Sequence, residues 1–149
     1  MSLGQNQFAM TAVAGQRVSG DNVKQCEFYD ASASATVVAG EFVLLSATAS
    51  PGVTKIKKAS AATDKFVGVV VTNALKASFA VGEKVDVAFG FTEVMCTASA
   101  AIACGASLKY DYATGKVLTK DSSNTVVGMA MSDASGIDDL VRVLVQTNF

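Results

Sequence analysis

From Val23 onward, the chain either alternates apolar and polar side chains or gathers apolar side chains into short runs. Both patterns are typical of β-strands, and the runs are rich in Val, Phe and Thr, which favour strands. Two short stretches, 72–80 and 134–139, are compatible with a single helical turn, but no apolar stripe persists at the helical period. The pattern predicts strands at about 23–28, 35–38, 41–47, 53–58, 66–72, 84–89, 91–97, 100–103, 106–112, 116–119, 125–132 and 139–147.

The second half of the chain repeats the first. Matching points lie about 56 to 65 positions apart, and the differences in spacing fall where loops would absorb them. Such self-similarity indicates a duplicated structural unit. The matching segments are 35–40 with 100–105, 51–52 with 114–115, 66–71 with 126–131, and 84–87 with 140–143.

These two patterns together predict an all-β fold. We expect a small antiparallel β-barrel or sandwich built from two internally repeated strand-rich units, at about 31–97 and 98–147, within a β-domain of residues 23–149. The run Val67, Val69 and Val71 is expected in a central, buried layer. Val127, Met129 and Met131 are expected in the equivalent layer of the second unit.

Residues 1–22 keep no period and are predicted to form an extended N-terminal arm. The arm is made of Gln, Asn, Gly, Ser and Ala with isolated apolar residues. Such an arm is suited to lie along a neighbouring subunit, and its apolar side chains are the candidate interface residues. These are Leu3, Phe8, Met10 and Val13.

Composition favours an assembly protein over a free enzyme. Only 17% of the 149 residues are charged, and small neutral residues lose little side-chain entropy when a partner covers them. The same Ala, Val and Thr content is equally explained by β-structure alone. The net charge is −1 without a basic stripe, which argues against nucleic-acid binding; Lys55 and Lys57 are better explained as guards of a strand edge.

Neither a membrane nor a secretion route is expected for this chain. No apolar run reaches the roughly 18 residues of a membrane span. The sequence Ala12-Val13-Ala14 resembles a signal-peptidase site, but no Lys or Arg precedes Arg17 and no long apolar segment accompanies it. We therefore expect synthesis in a cytoplasm, with a final location on a particle left open.

The chemistry-bearing residues do not form a catalytic pattern. His is absent, which removes Ser-His-Asp and Cys-His catalysis and most catalytic zinc sites. Cys26, Cys96 and Cys104 lack metal-ligand spacing and are expected to be buried free thiols; a contact between Cys96 and Cys104 across a hairpin is the alternative. No catalytic, cofactor-binding or metal-ligating residue and no cofactor is therefore predicted.

Carboxylates and tyrosines leave weaker alternatives. Asp111 and Asp121 flank a hairpin, and one alternative makes them a glycosidase-like acid pair. A second alternative is a Ca²⁺ site formed by Asp133, Asp138 and Asp139, without any EF-hand spacing to support it. A third makes Tyr110 and Tyr112 a binding platform, but packing at a barrel end explains them better.

One family resemblance covers about residues 31 to 147. The run 100–108, the turn at Thr114-Gly115-Lys116-Val117, the segment 126–130 and the closing strand 139–145 resemble the layout of tailed-bacteriophage capsid decoration (cement) proteins. The first unit is similar in outline, at 66–70 and 81–85.

The resemblance implies a late, non-enzymatic virion protein. It would bind the major capsid protein on the outer surface of the assembled capsid, often as a homotrimer, after synthesis in the host cytoplasm. It also implies an arm that ties neighbouring capsomers together. Two alternatives stay open: another structural or adhesive β-module (a head fibre, a tail component or a bacterial surface subunit) and, more remotely, a small hydrolase that uses Asp111 and Asp121.

Overall fold

A computed structural model describes residues 12–47, 51–72, 76–121 and 125–147 of the chain. Within these ranges every regular element is a β-strand, which confirms the predicted all-β class, and none of these residues belongs to a helix long and apolar enough to cross a membrane. The strands are β1 (Arg17–Ser19), β2 (Val23–Phe28), β3 (Thr36–Val38), β4 (Phe42–Leu45), β5 (Lys55–Lys58), β6 (Gly68–Val71), β7 (Ser78–Ala80), β8 (Lys84–Ala88), β9 (Glu93–Thr97), β10 (Ser107–Asp111), β11 (Lys116–Thr119), β12 (Gly128–Ala130) and β13 (Leu140–Val145).

The first half of the chain forms a closed barrel with the strand order β2-β5-β4-β6-β8. Its pairs are antiparallel except for β2 and β5, which run parallel and place Phe28 opposite Ile56. A separate antiparallel pair, β3 and β7, places Val37 opposite Phe79. We call this part, β2 to β8, the first lobe.

The second half repeats this topology without closing. Its sheet has the order β1-β9-β13-β12-β10-β11, so β11-β10-β12-β13 corresponds to β5-β4-β6-β8 of the barrel. A single parallel bridge between Ala98 and Val117 stands where β2 and β5 close the barrel. We call β9 to β13 the second lobe.

The strand register confirms the duplication residue by residue. In both lobes a glycine begins one strand (β6 or β12) and lies opposite an apolar residue of β4 or β10. A cysteine of β2 or β9 likewise lies opposite a valine of β8 or β13. The matching pairs are Val43–Gly68 with Leu108–Gly128, Val69–Ala88 with Met129–Leu144, and Cys26–Val85 with Cys96–Val141.

The units defined by pairing begin earlier than the sequence repeat suggests. β2 corresponds to β9, so the equivalent units start at Val23 and Glu93 rather than near 31 and 98. The predicted strand at 100–103 is reduced to one bridge between Ile102 and Ala134. Of the stretches compatible with a helical turn, 134–139 holds this bridge and 72–80 ends in β7, while its residues 73–75 lie outside the described ranges.

Two apolar cores follow from strands that are buried on both faces. In β6, Val70 points into the barrel, whereas Val69 and Val71 point out of it toward the second lobe. β4 behaves in the same way, with Val43 inside and Phe42 outside. Continuous burial explains why β6 reads as an unbroken apolar run, and it confirms the prediction that this strand is central.

Aromatic side chains of the first lobe fill the open second lobe. The rings of Phe42 and Phe66 lie 5.2 and 5.5 Å from the ring of Tyr110, centre to centre. The second lobe carries Ala98 and Ala134 where the barrel has Phe28 and Phe79, so it lacks the two large side chains that fill the barrel. The two lobes therefore share one core and do not form separate domains.

The matched glycines generate a prediction. A Cβ atom on Gly68 would lie 2.2 Å from the carbonyl oxygen of Ala88, and one on Gly128 would lie 2.4 Å from that of Leu144. We expect Gly68→Ala and Gly128→Ala each to lower the free energy of unfolding by about 1–3 kcal/mol, because a backbone strand must move. Chemical denaturation measures this change.

Gly136→Ala is the matched control, because a Cβ atom there would meet nothing within 4 Å. We expect its free energy of unfolding to change by less than about 1 kcal/mol. Equal stability of all three variants would contradict the close strand pairing.

Candidate interaction surface

The carboxylates proposed as an acid pair are each used locally. Asp111 accepts hydrogen bonds from the Ala113 backbone N–H (3.0 Å) and the Thr114 hydroxyl (2.9 Å), which stabilises its own hairpin. Asp121 forms an ion pair with Lys109 at 2.5 Å. Both carboxylates therefore serve the hairpin, and nothing in their contacts indicates catalytic work.

The three carboxylates proposed as a calcium site also serve separate structural contacts. Asp133 accepts a hydrogen bond from the Cys104 N–H (2.7 Å), and Asp138 pairs with Lys116. Asp139 accepts hydrogen bonds from the Ser135 hydroxyl and from backbone N–H groups, which lower the pKa of its carboxyl group. In the described ranges no three His, Cys, Asp or Glu side chains lie together as a metal site would require.

The cysteines are free. Cys26 and Cys96 are buried at matching positions of the two lobes, whereas Cys104 is exposed. Burial raises the pKa of the Cys96 thiol to about 12 and also raises that of Cys26. The prediction of buried free thiols is thus confirmed for Cys26 and Cys96 and wrong for Cys104, and the alternative of a bond between Cys96 and Cys104 is not formed.

Tyrosines and lysines at the other candidate sites have packing or pairing roles. Tyr110 is buried in the shared core, which raises the pKa of its phenol, while Tyr112 stays partly exposed; the packing explanation therefore fits Tyr110. Lys55 pairs with Glu27 at 3.7 Å. The interpretation of Lys55 and Lys57 as guards of a free strand edge is wrong, because β5 is hydrogen-bonded on both sides in the closed barrel.

An apolar groove lies where the two lobes join. Its volume is about 650 Å³, and the turn that connects β8 to β9 forms one wall. None of the side chains that line it is charged. The lining residues that project most are Phe91, Leu45 and Met129, whose surfaces are 88%, 54% and 45% exposed.

Phe91 is held in an unusual backbone conformation. Its φ angle is 66°, a left-handed value that bulky side chains rarely adopt and that costs about 1–3 kcal/mol. Its N–H donates to the Val145 carbonyl (3.0 Å), and the side chains of Asn22 and Thr147 hydrogen-bond to Gly90. The surrounding hydrogen bonds therefore keep a strained turn with its aromatic side chain facing solvent.

The groove is exposed because equivalent sheet faces of the two lobes are not buried to the same extent. Val69 and Ala88 face outward from the first lobe and are buried by the second lobe. Met129 and Leu144 occupy the equivalent positions of the second lobe, and they line the groove instead. The prediction of a buried layer in the second unit therefore holds for Val127 only; it is wrong for Met129 and Met131, which are 45% and 36% exposed.

The structure describes little of the predicted arm interface. Leu3, Phe8 and Met10 lie outside the described residues. Val13 is half exposed, and residues 15–19 run along β9, with the Gly15 N–H donating to the Met95 carbonyl (2.7 Å) and β1 pairing with β9. The groove was not predicted from the sequence. Its one signal there is Phe91, which follows Gly90 and begins a predicted strand.

Comparisons with known proteins give one matching family and one similar fold. A family model described as phage cement protein matches residues 23–146. The fold is similar to that of the N base of the head fibre gp8.5 of bacteriophage phi29, with a TM-score of 0.53 and 17% sequence identity over 85% of this chain and 96% of that one. A search of curated proteins gives no match.

The thiol environments predict selective reactivity. At pH 8 a thiol reagent should modify Cys104 quickly in the native protein, since the pKa values of Cys26 and Cys96 are raised and both side chains are buried. Counting released chromophore should give one fast thiol, and Cys104→Ser should remove it. Two or three fast thiols would contradict the burial of the matched cysteines.

The strained turn predicts that Phe91 does not serve stability. Phe91→Asn should leave the free energy of unfolding unchanged or raise it by up to about 1 kcal/mol, because Asn tolerates a left-handed φ and no buried contact is lost. Thermal unfolding measures the effect. Ile137→Asn, at an exposed apolar residue outside the groove, is the control and should change stability by less than about 0.5 kcal/mol. A clear loss of stability in Phe91→Asn alone would make Phe91 a core residue.

Proposed function

The chain belongs to the phage cement protein family, and from this membership we propose that it binds the outer surface of an assembled capsid and stabilises the contacts between capsomers. The match confirms the resemblance noted in the sequence, and it makes the chain a phage capsid-associated structural protein. The major capsid protein is the proposed partner. The proposed location is the surface of the virion, after synthesis in the host cytoplasm.

The match to the family model carries this proposal, and the exposed groove at the lobe junction supports an assembly role. The groove presents uncharged, apolar surface held in place by a strained turn, which suits a protein partner and offers no reactive group. A fastener of this kind works by mass action: whatever binds the closed shell and not the open one stabilises the closed shell. A passive fastener needs no catalytic residue, in keeping with the local roles of Asp111 and Asp121.

A homotrimer is the proposed working form. The family resemblance suggests it, and a surface of small neutral side chains lowers the entropy cost of covering it. Several linked copies that each bind weakly can together hold a shell firmly, since the second attachment is intramolecular.

A head-fibre component is the second candidate. The observation that favours it is the fold shared with the gp8.5 head-fibre base. The two functions differ in shape: a cement protein lies against the shell, whereas a fibre base carries density that projects from it. Negative-stain images of particles that carry the protein separate them.

Capsid binding gives the first test of the proposal. Purified protein mixed with undecorated capsids of its source phage should sediment with them and saturate, because the sites are finite. Capsids that already carry the protein are the control and should take up no more. Folded protein that stays in the supernatant with undecorated capsids would contradict the proposal.

Salt dependence adds a second outcome of the same assay. With a net charge of −1 and only 17% charged residues, retention on capsids should change little between 50 and 500 mM salt, because screening has few charge pairs to weaken. A steep loss of binding with salt would assign the attachment to charged surface instead.

A further inference from the structure

The groove requires an occupant that is apolar and uncharged. Of the three polar side chains on its wall, Asn22, Gln146 and Thr147, two are already bonded: the Asn22 amide donates to the Gly90 carbonyl (3.0 Å), and the Thr147 hydroxyl donates to the Val67 carbonyl (2.9 Å). The same Thr147 hydroxyl accepts a hydrogen bond from the Gly90 N–H. An occupant therefore gains mainly by burying Phe91 and Met129.

The N-terminal segment of the chain has this chemistry. No Lys, Arg, Asp or Glu occurs before Arg17. Within that segment Leu3, Phe8 and Met10 supply apolar side chains, and Phe8 and Met10 share one side when the segment is extended. A segment whose larger apolar side chains are flanked by uncharged residues complements an uncharged apolar groove.

The course of the described chain leads the segment away from its own groove. From Gly15, beside Met95, the chain runs through β1 to Asn22, whose side chain bonds to Gly90 at the groove. The described chain begins at the opposite end of β1. To enter its own groove the segment would have to turn back along β1, whereas the segment of a neighbouring copy can approach the groove without reversing direction.

We propose that the groove beside Phe91 binds residues 1–11 of a second copy of the chain, so that neighbouring copies are fastened by exchanged N-terminal arms. The proposal rests on the proposed function in one respect: copies joined in this way, seated on adjacent capsomers, stabilise the joint between them. Exchange that closes in a ring gives a finite oligomer, and the proposed trimer is one such closed form.

A direct face-to-face contact between copies is less suitable. Within one chain, the outer face of the first lobe is covered by the open second lobe. A second copy has no open lobe left to cover the groove. Its first lobe is a closed barrel, and its second lobe already packs against that barrel. The seam of that barrel carries the ion pairs of Glu27 with Lys55 and Lys84, which do not match an apolar groove.

Disulfide trapping without capsids tests the proposal. In a Cys104→Ser background, which removes the exposed thiol, one protein carries Phe8→Cys and a second carries Met129→Cys. When the two are mixed and mildly oxidised, we expect a covalent dimer on a non-reducing gel, since a mixed link forms only between copies. Ile137→Cys in place of Met129→Cys is the matched control and should give at least tenfold less product.

Placing both cysteines in one chain decides whose arm fills the groove. Exchange predicts covalent oligomers of Phe8→Cys with Met129→Cys, whereas a fast-migrating linked monomer would overturn the proposal in favour of the chain's own arm. Phe91→Asn should weaken self-association roughly tenfold by light scattering, as expected for an aromatic anchor. No mixed dimer, with circular dichroism unchanged, also overturns the proposal.

The capsid assay keeps this inference and the proposed function apart. Trapped oligomers of a protein that never sediments with capsids would support arm exchange and contradict capsid binding. Capsid binding without any mixed dimer would support the proposed function and contradict arm exchange. If modification of Met129→Cys with a bulky maleimide abolishes sedimentation but leaves self-association intact, the groove binds the shell and arm exchange is wrong.

Discussion

The contact between the outer face of the first lobe and the open second lobe governs the whole molecule. Val69 and Phe42 point out of the barrel into the core of the second lobe, where the ring of Phe42 packs against that of Tyr110. β4 and β6 must therefore be apolar on both faces. The second lobe stays open because the chain places Ala98 where the barrel has Phe28, and side chains of the first lobe occupy that space. This one contact thus explains why the lobes share a core and why, of two lobes with matching topology, one is a closed barrel and the other stays open.

The same contact leaves one surface without a partner. The face that Val69 occupies in the first lobe is buried, and its equivalent around Met129 is exposed beside the strained turn at Phe91. Duplication therefore gives the molecule two copies of an apolar sheet face, and the packing of the lobes covers only one of them. For a cement protein this is useful, because the uncovered face can join copies while the stability of the lobe pair rests elsewhere.

Much of the fold can be predicted from the sequence because strand patterns and matched glycines are local features. The repeat of Gly68 and Gly128 records a close strand pairing, and the apolar run of β6 records burial on both faces. The groove cannot be predicted in this way. Met129 and Val69 look equivalent in sequence, and only the packing of the lobes decides which one is covered. The left-handed turn at Phe91 is equally hidden, since its conformation is imposed by hydrogen bonds from residues far along the chain.

A cryo-electron microscopy map of capsids that carry the protein tests the central claim most directly. The account predicts β-rich density on the outer surface across the joints between capsomers, with the groove beside Phe91 filled by a strand-like segment that traces to the N-terminus of the adjacent copy. A groove that is bare to solvent, or filled by the shell itself, would contradict it.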